Sequence, residues 1–174
     1  MNRGGRLTRS VEESVVLALF DVANQLYKLG DQVAAGAGLT TQQWLVLLQV
    51  AGDPNFARPV RGDATTDDAV GSAIARARAV SRANVSTLVS QLVAKGYVRQ
   101  REHPGDRRRK QLLVTAQGQR ALAAIEPARR EANRKLLGGL PPAERAQLLR
   151  SLRACLEHLW VTAESGGVPA ARAR

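Results

Sequence analysis

Residues 81–115, SRANVSTLVSQLVAKGYVRQREHPGDRRRKQLLVT, decide the fold. Ser81 is a favourable helix N-cap and Gly96 is typical of the residue just beyond a helix, so residues 82–95 are predicted to form a helix. At about 100° per residue, its apolar side chains fall on one side and its polar side chains on the other. The apolar side carries Val85, Leu88, Val89 and Leu92; the polar side carries Asn84, Ser86, Thr87, Ser90 and Gln91.

The polar side of this helix contains no acidic residue. Ordinary surface helices carry Glu and Lys, whereas a helix in a DNA major groove avoids carboxylates and offers amide and hydroxyl groups to base edges. Arg82 adds a positive charge at the helix start. The pattern favours contact with DNA, and a merely solvent-facing role for Ser86 and Ser90 is the alternative.

The rest of the segment predicts a β-hairpin. Residues 97–102 and 110–115 are predicted strands, and residues 103–106, His-Pro-Gly-Asp, are the predicted turn. Three arginines, called the wing arginines below, are expected at the hairpin tip: Arg107, Arg108 and Arg109. Guanidinium groups held there can enter a narrow minor groove or bind phosphates. A polar helix followed by a basic hairpin predicts a winged helix-turn-helix.

The residues before this segment predict three helices. Ser10 is the predicted N-cap of a long first helix, whose apolar stripe runs from Val11 to Val33 and suits a core or a subunit contact. A second helix is predicted to open at Thr40 or Thr41. A loop over residues 53–68 then leads to a third helix, which starts near Thr66 and stops near Val80.

Two further helices are predicted after the hairpin. Thr115 is the expected N-cap of the first, and Pro127 is expected to kink it. The second begins at Pro141 and Pro142, as proline suits a first helical turn. Its wide apolar face comprises Leu148, Leu149, Leu152, Leu156 and Leu159.

The fold class is therefore mainly α with a small β-hairpin wing. The expected regions are a flexible basic arm (1–9), flanking helical segments (10–38 and 116–162), a winged helix-turn-helix DNA-binding lobe (39–115) with an extended loop (53–68), and a disordered tail (163–174).

Charge is concentrated in the middle of the chain. The net charge is +11, yet residues 1–60 hold five basic and five acidic residues. Residues 76–120 hold eleven basic residues and only two acidic ones. A clustered excess of positive charge indicates an acidic partner such as nucleic acid, whereas a simply solvated face would spread it evenly.

Several classes of protein are disfavoured. The longest apolar run, Val15–Phe20, has six residues, far below the roughly 18 that cross a bilayer. One cysteine, Cys155, forms no intramolecular disulfide, and two histidines give no zinc site, so a cytoplasmic, metal-free protein is expected. Cys155 is predicted to be a buried, inert thiol. No nucleophile with its base and no phosphate-binding glycine loop occurs, so neither catalysis nor a cofactor is expected.

In this order and spacing the motifs resemble the MarR family of winged helix-turn-helix transcriptional regulators. The resemblance is carried by LTTQQW (39–44), IARARAVS (74–81), LVSQLVAKGYV (88–98), DRRR (106–109) and VTAQG (114–118). It implies a homodimer in which the first and last helices interlock, so that residues 10–38 and 116–162 form a helical dimerisation region. It further implies that each subunit sets one recognition helix in a major groove and one wing in the adjacent minor groove.

The resemblance also implies residue roles. The groove contacts would fall to Arg82, Asn84, Ser86 and Thr87, called the groove residues below, and the minor-groove contacts to Arg107 and Arg108. Asp106 would brace the wing by pairing with an arginine, or is simply a turn former. Arg78 departs from the family, which places an apolar residue there, so it is expected to snorkel or to contact the DNA backbone. The loop over residues 53–68 is longer than is usual in the family.

The family often binds phenolic or other aromatic acids, or their thioesters. Tyr27, Gln43 and Trp44 are the candidate ligand residues, with core packing as the alternative for Tyr27 and Trp44. The predicted function is a dimeric, sequence-specific regulator of a palindromic double-stranded DNA operator, a repressor released by a small aromatic or acyl-thioester ligand. A nonspecific architectural nucleic-acid-binding protein is the alternative.

Overall fold

The structure, a computed structural model, describes residues 10–56, 74, 75, 78, 80–103 and 106–164. The helices are α1 (Val11–Ala34), α2 (Thr41–Val50), α3 (Arg82–Ala94), α4 (Ala116–Leu136) and α5 (Pro142–Glu164), with a short 3-10 helix at Ala35–Ala37. The strands β1 (Val98–His103) and β2 (Asp106–Val114) form an antiparallel hairpin. The predicted fold class, mainly α with a hairpin wing, is confirmed.

The helix starts follow the capping residues in the sequence. Ser10 accepts a hydrogen bond from the Glu13 backbone N–H at 3.2 Å, and the Glu13 carboxylate accepts one from Ser10 N–H at 3.0 Å. Thr40 and Gln43 form the same reciprocal pair at the start of α2. Because each pair satisfies N–H groups that have no partner within the helix, the caps fix where the helices begin.

The core lies between α2, α3 and the first strand. Its largest fully buried side chains are Leu47, Ile74, Leu92, Val46, Val85 and Val98. The predicted apolar side of α3 enters this core, since Val85 is 1% exposed and Leu92 is 0% exposed. The opposite side of α3 is consequently left to face outward.

A close contact joins the hairpin to α4. The Thr115 hydroxyl accepts from Gly118 N–H at 3.0 Å and donates to the Gly96 carbonyl at 2.6 Å. A Cβ at Gly118 would lie 2.3 Å from the Tyr97 carbonyl oxygen and 2.8 Å from Cγ1 of Val114. Only glycine therefore allows this approach, which accounts for part of the VTAQG motif.

The chain divides into two compact units, residues 1–132 and 133–174. In the second unit α5 begins at Pro142, as predicted, and includes residues 163 and 164, where the tail was expected to begin. Cys155 is exposed, contrary to prediction, because the neighbouring α5 leucines are themselves exposed rather than packed into a core. The helix α4 continues through Pro127.

Parts of the predicted organisation fall outside the described residues. These are the arm (1–9), most of the third helix, residues 57–68 of the extended loop, and residues 165–174 of the tail. Ile74, Ala75 and Arg78 of the third helix are helical. At the base of the loop, the Asp53 carboxylate lies 3.9 Å from the Arg129 guanidinium of α4. Across the described ranges, no helix has the length and apolar character needed to cross a membrane.

The contact at Gly118 predicts the effect of a methyl group there. Gly118→Ala is expected to lower the free energy of unfolding by about 2 kcal/mol, because the backbone of Tyr97 must move. Urea unfolding followed by circular dichroism measures the change. Gly36→Ala is the matched control, since a Cβ at Gly36 has no neighbour within 4 Å. Equal stability of the two variants would contradict the close approach.

Candidate nucleic-acid interface

The outward side of α3 is polar and carries three of the four groove residues in exposed positions. Arg82, Ser86 and Thr87 are exposed, and Asn84 is half-buried. The Ser81 hydroxyl accepts from Asn84 N–H at 3.1 Å, and the Thr87 hydroxyl donates to the Ala83 carbonyl at 3.0 Å. This surface offers hydroxyl and amide groups and one guanidinium, which are groups that pair with base edges and phosphates.

The hairpin differs from its prediction in where the second strand begins: β2 starts at Asp106 rather than at Lys110. Register runs from Val98 opposite Val114 to Glu102 opposite Lys110, and then shifts so that His103 faces Asp106. The wing arginines therefore belong to strand β2, as three additional residues between paired positions. Three arginines in a row have no alternating pattern and look like a loop, but strand pairing uses the backbone and tolerates such a bulge.

Two further arginines extend the basic surface. Arg99 and Arg101 are exposed and, being two residues apart, lie on the same face of β1. Neither residue is among the contacts predicted from the sequence. The signal that could have found them is the period of two in Arg99-Gln100-Arg101, which is typical of one strand face.

Gln43, predicted to line a ligand pocket, uses its amide within the fold. It is 6% exposed. Its Oε1 accepts from Thr40 N–H at 3.1 Å and from Nζ of Lys95 at 3.3 Å, and its Nε2 donates to Oε1 of Gln91 at 2.8 Å. Gln91, predicted on the polar side of α3, is thus held by α2, and Lys95 reaches across to α2.

The other two candidate ligand residues have different environments. Trp44 is 9% exposed and belongs to the core. Tyr27 is exposed on α1, and its hydroxyl accepts a hydrogen bond from Nη2 of Arg78 at 3.4 Å. Arg78 is half-buried, and this burial lowers the pKa of its guanidinium, while the Tyr27 contact acts in the opposite direction. The ligand pocket stays a prediction.

Among the described side chains, no group of three His, Cys, Asp or Glu residues comes close enough to hold a metal ion. What the arrangement offers is a polar helix face followed by basic strands. Both belong to the first compact unit, and α3 is fixed there by the buried side that faces α2.

Solved structures share this fold. A MarR family regulator from Streptomyces coelicolor in complex with DNA has 22% identity and a TM-score of 0.66, covering 91% of this chain and 93% of that chain. S. aureus MepR in complex with DNA has 21% identity and a TM-score of 0.67, covering 83% and 97%. CouR from Rhodococcus jostii RHA1 bound to p-coumaroyl-CoA has 17% identity and a TM-score of 0.67, covering 86% and 96%.

A comparison with curated proteins returned no match. The family model described as "MarR family" matches residues 37–109, which include α2, α3, β1 and the wing arginines. The matched segment contains both the polar helix and most of the hairpin. The chain therefore resembles the MarR family of transcriptional regulators over residues 37–109, and it shares the fold of solved members of that family.

Proposed function

We propose that this chain is a homodimeric, sequence-specific repressor that binds a palindromic operator and is released by a small aromatic or acyl-thioester ligand. The observation that carries the proposal is the division of α3, whose apolar side is buried while its acid-free polar side faces outward. A helix presented in this way can lie in a major groove without placing carboxylates beside phosphates.

The groove residues suit two kinds of contact. Arg82, at the helix start, can pair with a guanine edge or a phosphate, and the exposed hydroxyls of Ser86 and Thr87 can pair with bases or phosphates. Asn84 is half-buried. Its side-chain amide alone would have to reach the groove to contact an adenine edge. We assign base reading to these four residues.

The wing arginines and their neighbours supply the backbone contacts in this proposal. They lie in β2, and Arg99 and Arg101 are exposed on the paired strand β1. Five guanidinium groups on one hairpin favour a narrow minor groove and the flanking phosphates. These contacts would add affinity for any duplex and make it fall with salt.

The apolar surface of α1 supports a dimer. Large apolar side chains are exposed from Val11 to Tyr27, and Phe20 is 65% exposed. The second unit exposes more: Leu136, Leu148, Leu149, Leu156, Leu159 and Val161. Such an extent of apolar surface marks an interaction site. In this proposal a second copy covers the apolar side chains of each unit, residues 10–38 and 116–162 form the dimerisation region, and the operator half-sites are expected about 34–36 Å apart.

The ligand class rests on a relative. CouR is bound to p-coumaroyl-CoA, an aromatic acyl thioester. In this chain Tyr27 is the exposed candidate, with Arg78 beside its hydroxyl. A ligand would release the operator only to the extent that it prefers the conformation that does not bind DNA.

An architectural, nonspecific role is the second candidate. It is favoured by the run of three wing arginines, because such contacts to phosphates carry no sequence information. Its expected behaviour is equal affinity for all duplexes.

A sequence-specific repressor is expected to select one palindromic DNA sequence. Duplexes selected by the full chain from a random pool should converge on an inverted repeat, bound about a thousandfold more tightly than a scrambled duplex. Titrations by fluorescence anisotropy over a salt series measure both affinities. Equal affinity for the two duplexes at every salt concentration would overturn the specific function in favour of the architectural one.

The two classes of DNA contact predict different variants. Asn84→Ala should relax sequence preference at one position of each half-site. Arg108→Ala should weaken binding to every duplex and lower the slope of log affinity against log salt concentration by about one, because one phosphate contact is lost. Arg153→Ala, on exposed α5, is the control that removes the same charge elsewhere. If Asn84→Ala and Arg108→Ala both bind as the wild type does, the assigned interface is wrong.

If the chain is a homodimer, its molecular mass in solution should depend on protein concentration. Wild-type protein should sediment as a dimer, and Phe20→Glu should raise the dissociation constant at least about tenfold, because a charge would be buried in the contact. Gln25→Glu, an exposed position on another side of α1, is the matched control. A monomeric wild type at micromolar concentration would contradict the proposal.

A further inference from the structure

We propose that Gln43 is a positioning residue for DNA binding: without contacting DNA, it holds the end of α3 against the start of α2 and so sets the orientation of the groove residues. This inference rests on the proposed function, since it concerns how an operator-binding helix is held. It assigns to Gln43 a role other than lining a ligand pocket.

The first observation is the set of polar contacts at the C-terminal end of α3. Gln43 donates to Gln91 at 2.8 Å and accepts from Lys95 at 3.3 Å. Lys95 also donates to the carbonyl of Gly38, and the Tyr97 hydroxyl donates to the carbonyl of Ala37 at 2.7 Å. The end of α3 is therefore attached at several points to the turn before α2 and to the first turn of α2.

The second observation is that the same segment is fixed to α1. The Asp31 carboxylate accepts from the Thr41 backbone N–H at 2.7 Å and lies 2.8 Å from the Thr41 hydroxyl. These hydrogen bonds, the backbone one foremost, lower the pKa of Asp31. The Thr41 hydroxyl also lies 2.7 Å from the Tyr27 carbonyl, and a Cβ at Gly30 would come within 2.5 Å of that hydroxyl oxygen. A continuous set of contacts thus joins α1, which carries the proposed dimer surface, to the end of α3.

The length of α3 turns a small rotation at this end into a large displacement at the other. Arg82 precedes Gln91 by nine residues, so they are separated by about 14 Å along the helix axis. A tilt of about 10° around Gln91 would move Arg82 by about 2 Å, which exceeds the tolerance of a hydrogen bond to a base. Affinity for an operator with fixed half-site spacing should therefore depend on Gln43.

The chemistry of the side chain accounts for glutamine at this position. Its amide combines an acceptor for Thr40 and Lys95 with a donor for Gln91. Leucine would retain most of the volume and none of these bonds. Glutamate would retain the acceptor for Thr40 and Lys95 and lose the donor for Gln91. Gln43→Glu therefore tests the Gln91 contact alone.

The test uses full-length Gln43→Leu and Gln43→Glu with duplexes that the wild type selects from a random pool, and the same duplexes lengthened or shortened by one base pair at their centre. We expect Gln43→Leu to lose at least about tenfold in affinity for the selected duplex and to discriminate less against altered spacing. Affinity for scrambled DNA and the salt slope should stay within about twofold, because no phosphate contact is lost. Gln42→Leu, an exposed neighbour on α2, is the control.

The outcomes separate the two proposals. If the wild type selects a palindrome but Gln43→Leu and Gln43→Glu retain its affinity and spacing preference, Gln43 has no positioning role, while the proposed function stands. If the wild type selects no palindrome, the proposed function fails and the positioning role fails with it. Where Gln43→Leu does not fold, as judged by circular dichroism, Gln43→Glu decides: a loss of spacing preference supports the role, and wild-type behaviour overturns it.

Discussion

The structure depends on the burial of one side of α3. Val85, Leu88, Val89 and Leu92 enter the core and pack with α2 and the hairpin, and their removal from water orients the helix. This orientation leaves the polar side chains of α3 exposed, and these are the side chains proposed to contact bases. The outward side carries no acidic residue, and the strand that follows it exposes Arg99 and Arg101.

A second constraint is the apolar surface of α1 that a single chain leaves exposed. The helix α1 is joined tightly to the DNA-binding lobe at its C-terminal end, through Asp31, Thr41 and Gly30, yet its first four turns expose apolar side chains. A second copy that covers these turns would also be rigidly connected to α3. In the proposed dimer, subunit contact and operator spacing would both depend on this arrangement, and Gln43 would connect them.

Much of this could be predicted from local sequence signals. Ser10, Thr40 and Ser81 cap their helices as expected, because a short hydroxyl side chain satisfies the N–H groups at a helix start wherever the chain then runs. The buried side of α3 followed from its 3.6-residue period. Other features depend on contacts distant in sequence, such as the pairing of His103 with Asp106 that includes the wing arginines in β2 and the hydrogen bond from Lys95 to the Gly38 carbonyl. The exposure of Cys155 likewise depends on which surfaces pack against α5. No local pattern encodes which partner a lysine or glutamine amide finds across the fold.

A crystal structure of the full chain with its selected duplex would test most directly whether the polar side of α3 reads DNA. We expect two copies of α3 in successive major grooves, with Ser86 and Thr87 facing the bases and the wing arginines along the adjacent minor groove. A complex in which the DNA lies against another surface, with the polar side of α3 open to solvent, would contradict it.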